Sequence, residues 1–180
     1  MTHIITTQLK FDPVKMLAEA NELYSRFQKD QINLRKPHQI DDAIAILYGS
    51  GSLYQNGRVI DRESSWDCYI EEFKHLYITD VIKEIEQYTK YVYSANIGRA
   101  RLMKLKQKSN LTMHVDRDDY LRIHVPIKTN ADCFFVNDDT VGRMTEVGEG
   151  YIFNSRSRHT AINASREDRI HLVVNVLTNN

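Results

Sequence analysis

Apolar residues recur at helical spacing in two segments of the first half of the chain. The first segment begins at Asp12-Pro13, where aspartate can cap a helix and proline suits the first helical position, and its helix is predicted to end near Lys29. The second helix is predicted to begin at Thr79-Asp80. The buried stripes recur every three or four residues and comprise Val14, Leu17, Ala20, Tyr24 and Phe27 in the first helix and Val81, Ile82, Ile85, Tyr88 and Val92 in the second.

From Ile97 onward the pattern changes to short strands separated by turns. About eight strands with turn signals between them favour an all-β sandwich or barrel. With two helices in front, we predict a fold that is mainly β with N-terminal helices, a double-stranded β-helix (a cupin-like jelly roll) backed by helices. The predicted strands are Arg99–Lys106, Thr112–Asp116, Tyr120–Ile127, Asp132–Val136, Thr140–Glu146, Gly150–Phe153, Thr160–Asn163 and Arg169–Leu177.

The length of the chain and its pattern of predicted elements indicate one domain over residues 1–180. Within it, residues 1–94 form a helical front with a lid segment, and residues 95–178 form the jelly-roll core. The long stretch between the helices, roughly residues 30 to 78, fits two interpretations, a functional segment or a simple surface excursion.

Composition excludes several classes of protein. Lys+Arg and Asp+Glu both number 24, so the net charge is zero, and we expect no nucleic-acid partner. No apolar stretch approaches the ~20 residues of a membrane span, and the first residues lack a secretory pattern. Two cysteines, Cys68 and Cys133, exclude a disulfide scaffold and a cysteine-rich zinc site. We therefore expect a soluble cytoplasmic protein with no membrane partner.

His114-Val-Asp116 is the first candidate for chemistry. Residues two apart on a strand point to the same face, so the imidazole and the carboxylate would converge. With His159 further along the chain, two histidines and one carboxylate would form the facial triad of non-haem Fe(II) oxygenases. The tripeptide alone favours the other interpretation, a surface strand with a local His–Asp pair, so both interpretations stay open at this point.

Two predicted strands carry the same Arg-x-His pattern opposite strongly apolar residues. Arg122 and His124 share one face of the first strand, and Arg169 and His171 share one face of the second. A solvated sheet face would normally mix charges of both signs. The pattern fits either an exposed polar face or an anion pocket inside the barrel, where guanidinium groups suit carboxylates.

These motifs, in this order, resemble the aspartyl/asparaginyl β-hydroxylase family, a branch of the Fe(II)/2-oxoglutarate dioxygenases. The resemblance covers roughly the C-terminal half of the chain. It is carried by Arg99-Ala-Arg-Leu-Met103, His114-Val-Asp116, Leu121-Arg-Ile-His-Val-Pro-Ile127, Cys133-Phe-Phe135, Gly150-Tyr-Ile-Phe-Asn154, His159, Asn163 and Asp168-Arg-Ile-His-Leu-Val173.

The resemblance implies a role for six residues. By this resemblance, His114, Asp116 and His159 would be the iron ligands of the protein and would form its catalytic centre. Arg169 looks like the anchor of the distal carboxylate of 2-oxoglutarate, and Arg122 and His124 match the Arg-x-His near the other end of the cosubstrate. In having Asp116, the chain resembles bacterial members of the family, some of which hydroxylate free amino acids.

The implied activity is that of an Fe(II)/2-oxoglutarate-dependent oxygenase. With Fe(II), 2-oxoglutarate and O₂, it would hydroxylate an unactivated C–H bond of a small substrate such as an amino acid, releasing succinate and CO₂. One alternative is a hydroxylase of an Asp or Asn side chain in a peptide or protein. A second alternative is a cupin-like metal-binding or ligand-sensing protein without turnover.

The substrate side of the site has weaker candidates. The stretch from about Gln31 to Ile78 is predicted to close over the iron as a lid, with Gly49 and Gly51 for mobility. Loop arginines near the ligands fit either exposed positions or contacts with a substrate carboxylate, and His171 is expected to be a core histidine bonded to backbone. The aromatic residues of the lid are Tyr48, Tyr54 and Trp66. The loop arginines are Arg117, Arg156 and Arg158.

Overall fold

The structure is a computed structural model that describes residues 4–27, 41–49, 53–55, 58–60, 66–69, 73–116 and 120–178. Within these ranges the helices are α1 (Pro13–Phe27) and α2 (Tyr77–Tyr93). The strands are β1 (Ile4–Lys10), β2 (Asp41–Gly49), β3 (Leu53–Gln55), β4 (Arg58–Ile60), β5 (Trp66–Tyr69), β6 (Asn96–Leu105), β7 (Ser109–Asn110), β8 (Tyr120–Lys128), β9 (Cys133–Asn137), β10 (Thr140–Gly142), β11 (Glu149–Asn154), β12 (His159–Asn163) and β13 (Arg169–Leu177).

Two antiparallel sheets make up the body of the protein. The large sheet has seven strands in the order β1-β11-β8-β13-β6-β2-β5, and the small sheet has four in the order β10-β9-β12-β7, while β3 and β4 pair separately among the described strands. A shared interior cluster joins the sheets, with Phe153 from the large sheet and Phe135 and Ala161 from the small one. The predicted jelly roll is confirmed.

The helices cover the outer face of the large sheet. Ile123 and Val125 of β8 and Leu172 of β13 are fully buried in one cluster with residues of both helices. Alternation along a strand then directs the intervening residues to the inner face, toward the small sheet. Burial of each large apolar side chain in this layer stabilises the fold by about 1.5–3 kcal/mol. The Arg-x-His faces of β8 and β13 consequently line the interior between the sheets.

The start of α1 is confirmed, and the start of α2 differs from the prediction. Asp12 caps α1, since its Oδ1 accepts hydrogen bonds from the backbone N–H groups of Val14 (2.9 Å) and Lys15 (3.1 Å). Helix α2 begins at Tyr77 rather than Thr79, and the residue before it, Leu76, makes no side-chain cap. Glu19 of α1 supplies the cap, because its carboxylate accepts the N–H groups of Tyr77 (2.7 Å) and Ile78 (2.9 Å).

Two residues of the predicted buried stripes are exposed among the side chains that the structure describes, which do not include that of Phe27. Val14 is 76% exposed in the first turn of α1, and Val92 is 44% exposed in the last turn of α2. Both lie in a terminal turn of their helix, where the helical period continues although the side chain stays exposed. Helix α1 is described as far as Phe27, and its predicted end near Lys29 lies outside the described residues.

The front half of the chain supplies strands as well as helices. Strand β1 pairs with β11 at one edge of the large sheet, and β2 pairs with β6 near the other. Helical periodicity did not reveal these strands, since their partners lie far away in sequence. Strands β2, β3, β4 and β5 fall inside the predicted lid segment, and most of the rest of that segment lies outside the described residues.

Two predicted strands are shorter in the structure. The segment predicted as Thr112–Asp116 makes only a single bridge, at His114, and β10 ends at Gly142 instead of Glu146. The chain leaves the small sheet after His114, which lets Asp116 approach β8. None of the described helices is long and apolar enough to cross a membrane.

Candidate active site

A backbone bridge holds His114 and His159 side by side. The N–H of His114 donates to the carbonyl of His159 at 3.0 Å, and the N–H of His159 donates to the carbonyl of His114 at 2.8 Å. The two imidazole rings lie with their centroids 4.4 Å apart. Residues far apart in sequence are thus fixed as a pair by the edge of the small sheet.

Each histidine of this pair has its tautomer set by a local hydrogen bond. Nδ1 of His114 donates to the carbonyl of Thr112 at 2.6 Å, and Nδ1 of His159 donates to the carbonyl of Ser157 at 2.9 Å. Each neutral ring then carries a lone pair on Nε2. Burial lowers the pKa of His159, which favours the neutral, ligating form of that ring. This is the arrangement that orients histidine ligands in metal sites.

The carboxylate of Asp116 completes the group. Nε2 of His114 lies 3.7 Å from Oδ1 of Asp116, and Nε2 of His159 lies 3.7 Å from Oδ2. One ligand atom from each of the three side chains lies within 4.8 Å of the others. Two imidazole nitrogens and one carboxylate suit Fe(II) and other divalent transition metals, so this donor set fits the predicted ion.

Arg122 links this group to the interior of the barrel. Its Nη2 forms an ion pair with Oδ2 of Asp116 at 2.6 Å. Burial lowers the pKa of Arg122, and the charge of Asp116 opposes that effect. The family resemblance implies a position for Arg122 beside the cosubstrate, and the structure shows that its guanidinium restrains the carboxylate of Asp116.

A cavity between the sheets begins at His159 and extends past the Arg-x-His faces. It contains about 390 Å³ of empty space, part of it open to solvent. Arg169 is 3% exposed, and its guanidinium carbon lies 5.0 Å from the centroid of the Phe135 ring. The lining residues are Arg101, Met103, Leu111, Arg122, His124, Phe135, Phe153, His159, Ala161, Arg169 and Val173. Four of the six predicted site residues therefore line one cavity, and the other two, His114 and Asp116, lie against His159.

The charged residues that line the cavity are all cationic. Three arginines face the cavity, namely Arg101, Arg122 and Arg169. Burial lowers the pKa of His124 well below its ordinary value, and the charges of Arg122 and Arg169 lower it further. A cavity lined with buried guanidinium groups and a neutral imidazole is suited to a small anion.

The secondary candidates are placed as follows. Arg156 and Arg158 are exposed, and Arg156 donates to Oγ1 of Thr178 at 2.7 Å. Arg117 lies outside the described residues. Asn163 has a structural role, because its amide donates to the carbonyls of Leu105, Lys106 and Glu167 and so ties neighbouring turns together. His171 is buried as expected, but its ring contacts His124 rather than backbone.

Sequence reasoning missed Arg101 as a cavity residue. It lies on β6, where it opposes Val173 of β13 in the sheet register. The signal was present in the alternation of Arg99, Arg101 and Met103 with the apolar residues between them. The alternation of β6 directs these three residues to the same inner face as Arg169 of β13.

Comparisons with known proteins agree with this geometry. A family model described as aspartyl/asparaginyl beta-hydroxylase matches residues 17–179 of the chain. A search of curated proteins finds no match to it.

Several solved structures share the fold. An oxidoreductase of the 2OG-Fe(II) oxygenase family from Burkholderia pseudomallei has a TM-score of 0.61 and 13% identity, over 99% of this chain and 85% of that one. A viral collagen prolyl hydroxylase from Paramecium bursaria Chlorella virus-1, in complex with 2-oxoglutarate, has a TM-score of 0.59 and 10% identity, over 99% of this chain and 97% of that one. A Pseudomonas putida prolyl-4-hydroxylase has a TM-score of 0.56 and 10% identity, over 99% of this chain and 94% of that one.

Proposed function

The chain belongs to the aspartyl/asparaginyl β-hydroxylase family and is an Fe(II)/2-oxoglutarate-dependent oxygenase, and we propose that it hydroxylates an unactivated C–H bond of a small substrate such as a free amino acid. Fe(II), 2-oxoglutarate and O₂ are the expected cofactors. The observation that carries the proposal is the convergence of two histidines and an aspartate beside a cavity lined with arginines.

In this proposal His114, Asp116 and His159 hold the iron. The bound metal, with 2-oxoglutarate and O₂, supplies the oxidising chemistry that converts C–H to C–OH and yields succinate and CO₂. The support is the donor set itself, with both Nδ1 atoms committed to backbone carbonyls. Arg122 keeps the carboxylate of Asp116 turned toward the two imidazoles through its ion pair.

The cosubstrate would occupy the cavity. Arg169 binds the distal carboxylate, because a buried guanidinium there is desolvated and strongly favours an anion. Arg122 and His124 face the end nearer the iron ligands and complement the other carboxylate. The aromatic walls formed by Phe135 and Phe153 exclude water and strengthen these charge interactions.

A polypeptide substrate is the alternative, in which the residue hydroxylated is an Asp or Asn side chain. One observation favours it, namely that Met113 and Val115, on either side of His114, are exposed apolar side chains. Such residues beside the metal site could contact an extended peptide. The family name and the collagen hydroxylase among the similar structures are compatible with this alternative.

A substrate screen tests the proposal. Protein loaded with Fe(II) and 2-oxoglutarate is incubated with each of the twenty amino acids and, separately, with a peptide pool, and succinate is measured. We expect at least one free amino acid to stimulate succinate formation, and the Asp116→Ala variant to show no stimulation. Stimulation by peptides alone would overturn the small-molecule proposal in favour of the alternative.

A further inference from the structure

Two buried imidazoles contact each other at the inner face of the large sheet. His124 of β8 is 5% exposed and His171 of β13 is 0% exposed. Their Nδ1 atoms are 3.4 Å apart, and their rings are inclined by 80° with centroids 5.7 Å apart. This is an edge-on arrangement in which one ring can donate a hydrogen bond to the other.

The contact requires the two rings to be different tautomers. Burial lowers the pKa of both histidines well below the ordinary value, and nearby arginine charges lower both further, so each ring is neutral and carries one proton. A hydrogen bond between the two Nδ1 atoms needs one donor and one acceptor. One ring therefore has its proton on Nδ1, and the other has its proton on Nε2.

The surroundings of the two Nε2 atoms decide which ring is which. Both atoms are buried and have no hydrogen-bond partner among the described residues. His124 lines the cavity, so its Nε2 can meet a ligand there, whereas His171 is not among the lining residues. A proton on Nε2 of His171 would be an orphaned donor, which folded proteins avoid more strictly than an orphaned acceptor.

The occupant of the cavity favours the same assignment. Arg101, Arg122 and Arg169 face the space that His124 lines. An anion drawn to these guanidinium groups can accept a hydrogen bond but cannot donate one. His124 can then contribute to anion binding only if its Nε2 carries the proton.

We propose that His171 is a positioning residue whose Nδ1–H donates to Nδ1 of His124 and thereby keeps the proton of His124 on Nε2, ready to bind a carboxylate of 2-oxoglutarate. The inference rests on the proposed function in one respect, because it takes 2-oxoglutarate as the anion. The tautomer assignment itself requires only a hydrogen-bond acceptor in the cavity beside His124, water included, and does not require 2-oxoglutarate. His171 acts through His124 and does not itself touch the cosubstrate.

Nitrogen-15 spectra of the metal-free protein, labelled at histidine, test the assignment directly. We expect His124 as the Nε2–H tautomer and His171 as the Nδ1–H tautomer, with the signals identified from His124→Phe and His171→Phe variants. The opposite pair of tautomers would overturn the inference. Because the spectrum is recorded without metal or cosubstrate, its outcome is independent of whether the protein binds 2-oxoglutarate.

Binding measurements on variants test the consequence. His171→Phe keeps a ring but removes the donor, and His171→Asn restores an N–H near the position of Nδ1. With Mn(II)-loaded protein, we expect the dissociation constant of 2-oxoglutarate to rise roughly three- to tenfold in His171→Phe. His171→Asn and the surface control His75→Asn should remain close to wild type.

The outcomes separate the two proposals. If wild-type protein binds 2-oxoglutarate and His171→Phe binds it equally well, the positioning role of His171 is wrong. If wild-type protein does not bind 2-oxoglutarate, the proposed function is wrong, and the spectra still decide the tautomers. Should His171→Phe fail to fold, the wild-type spectrum and the His171→Asn variant still support or contradict the inference.

Discussion

At the scale of single residues, Arg122 makes two contacts. It pairs with Asp116 at 2.6 Å, and it lines the cavity together with Arg169. The sequence predicted only the second contact, because alternation along β8 assigns a face but not a partner. The ion pair depends on the chain turning away after His114, and no local pattern encodes that turn.

Arg169 offers the sharpest test among the residues proposed to bind 2-oxoglutarate. Arg169→Ala leaves one carboxylate of 2-oxoglutarate unpaired at a buried position, which costs about 2–5 kcal/mol, or roughly 30- to 5,000-fold in affinity. Arg169→Lys should recover only part of the loss, since a point charge lacks the bidentate geometry. Calorimetric titration measures the affinity, and the exposed Arg166→Ala serves as the control. Unchanged affinity in Arg169→Ala would place the anchor elsewhere.

At the scale of elements, the two strands that carry the Arg-x-His pattern were the best predicted. Strand β13 spans Arg169–Leu177 as predicted, and β8 exceeds its predicted range by one residue. In both strands, long runs of residues alternate between the two faces of the sheet, because one face packs against the helices and the other lines the cavity. Strands β1 and β2 were missed, since their identity depends on distant pairing partners rather than on a local pattern.

The start of α2 shows why an element boundary can depend on another element. Glu19→Gln should lower the free energy of unfolding by about 1–3 kcal/mol, because the carboxylate accepts two N–H groups of α2 that are otherwise unbonded. Glu22→Gln, an exposed position on the same helix, should change it by less than about 0.5 kcal/mol. Urea unfolding provides the measurement, and equal stability of the two variants would contradict the capping role.

At the scale of the whole molecule, the buried histidines link stability to pH. The pKa values of His124 and His171 are well below 6.5 in the folded protein, whereas histidines of the unfolded chain titrate near 6.5. Below pH 6.5 the unfolded state therefore binds more protons, and the free energy of unfolding must fall as the pH falls.

The expected slope approaches about 1.4 kcal/mol per pH unit for each of the two histidines. Urea unfolding of the metal-free protein between pH 7.5 and 5.5 measures it. The His124→Phe/His171→Phe double variant should show a shallower slope than wild type, while His75→Asn should show the same slope. A double variant as sensitive to acid as wild type would mean that other groups cause the dependence.

Metal binding tests the central claim most directly, namely that His114, Asp116 and His159 form one metal site coupled to the arginine-lined cavity. In a titration followed by electron paramagnetic resonance, we expect wild-type protein to bind one Mn(II) per chain, and 2-oxoglutarate to tighten that binding. His114→Ala and His159→Ala should each lose this binding, and Arg166→Ala should retain it. Wild-type Mn(II) affinity in both histidine variants would contradict the account.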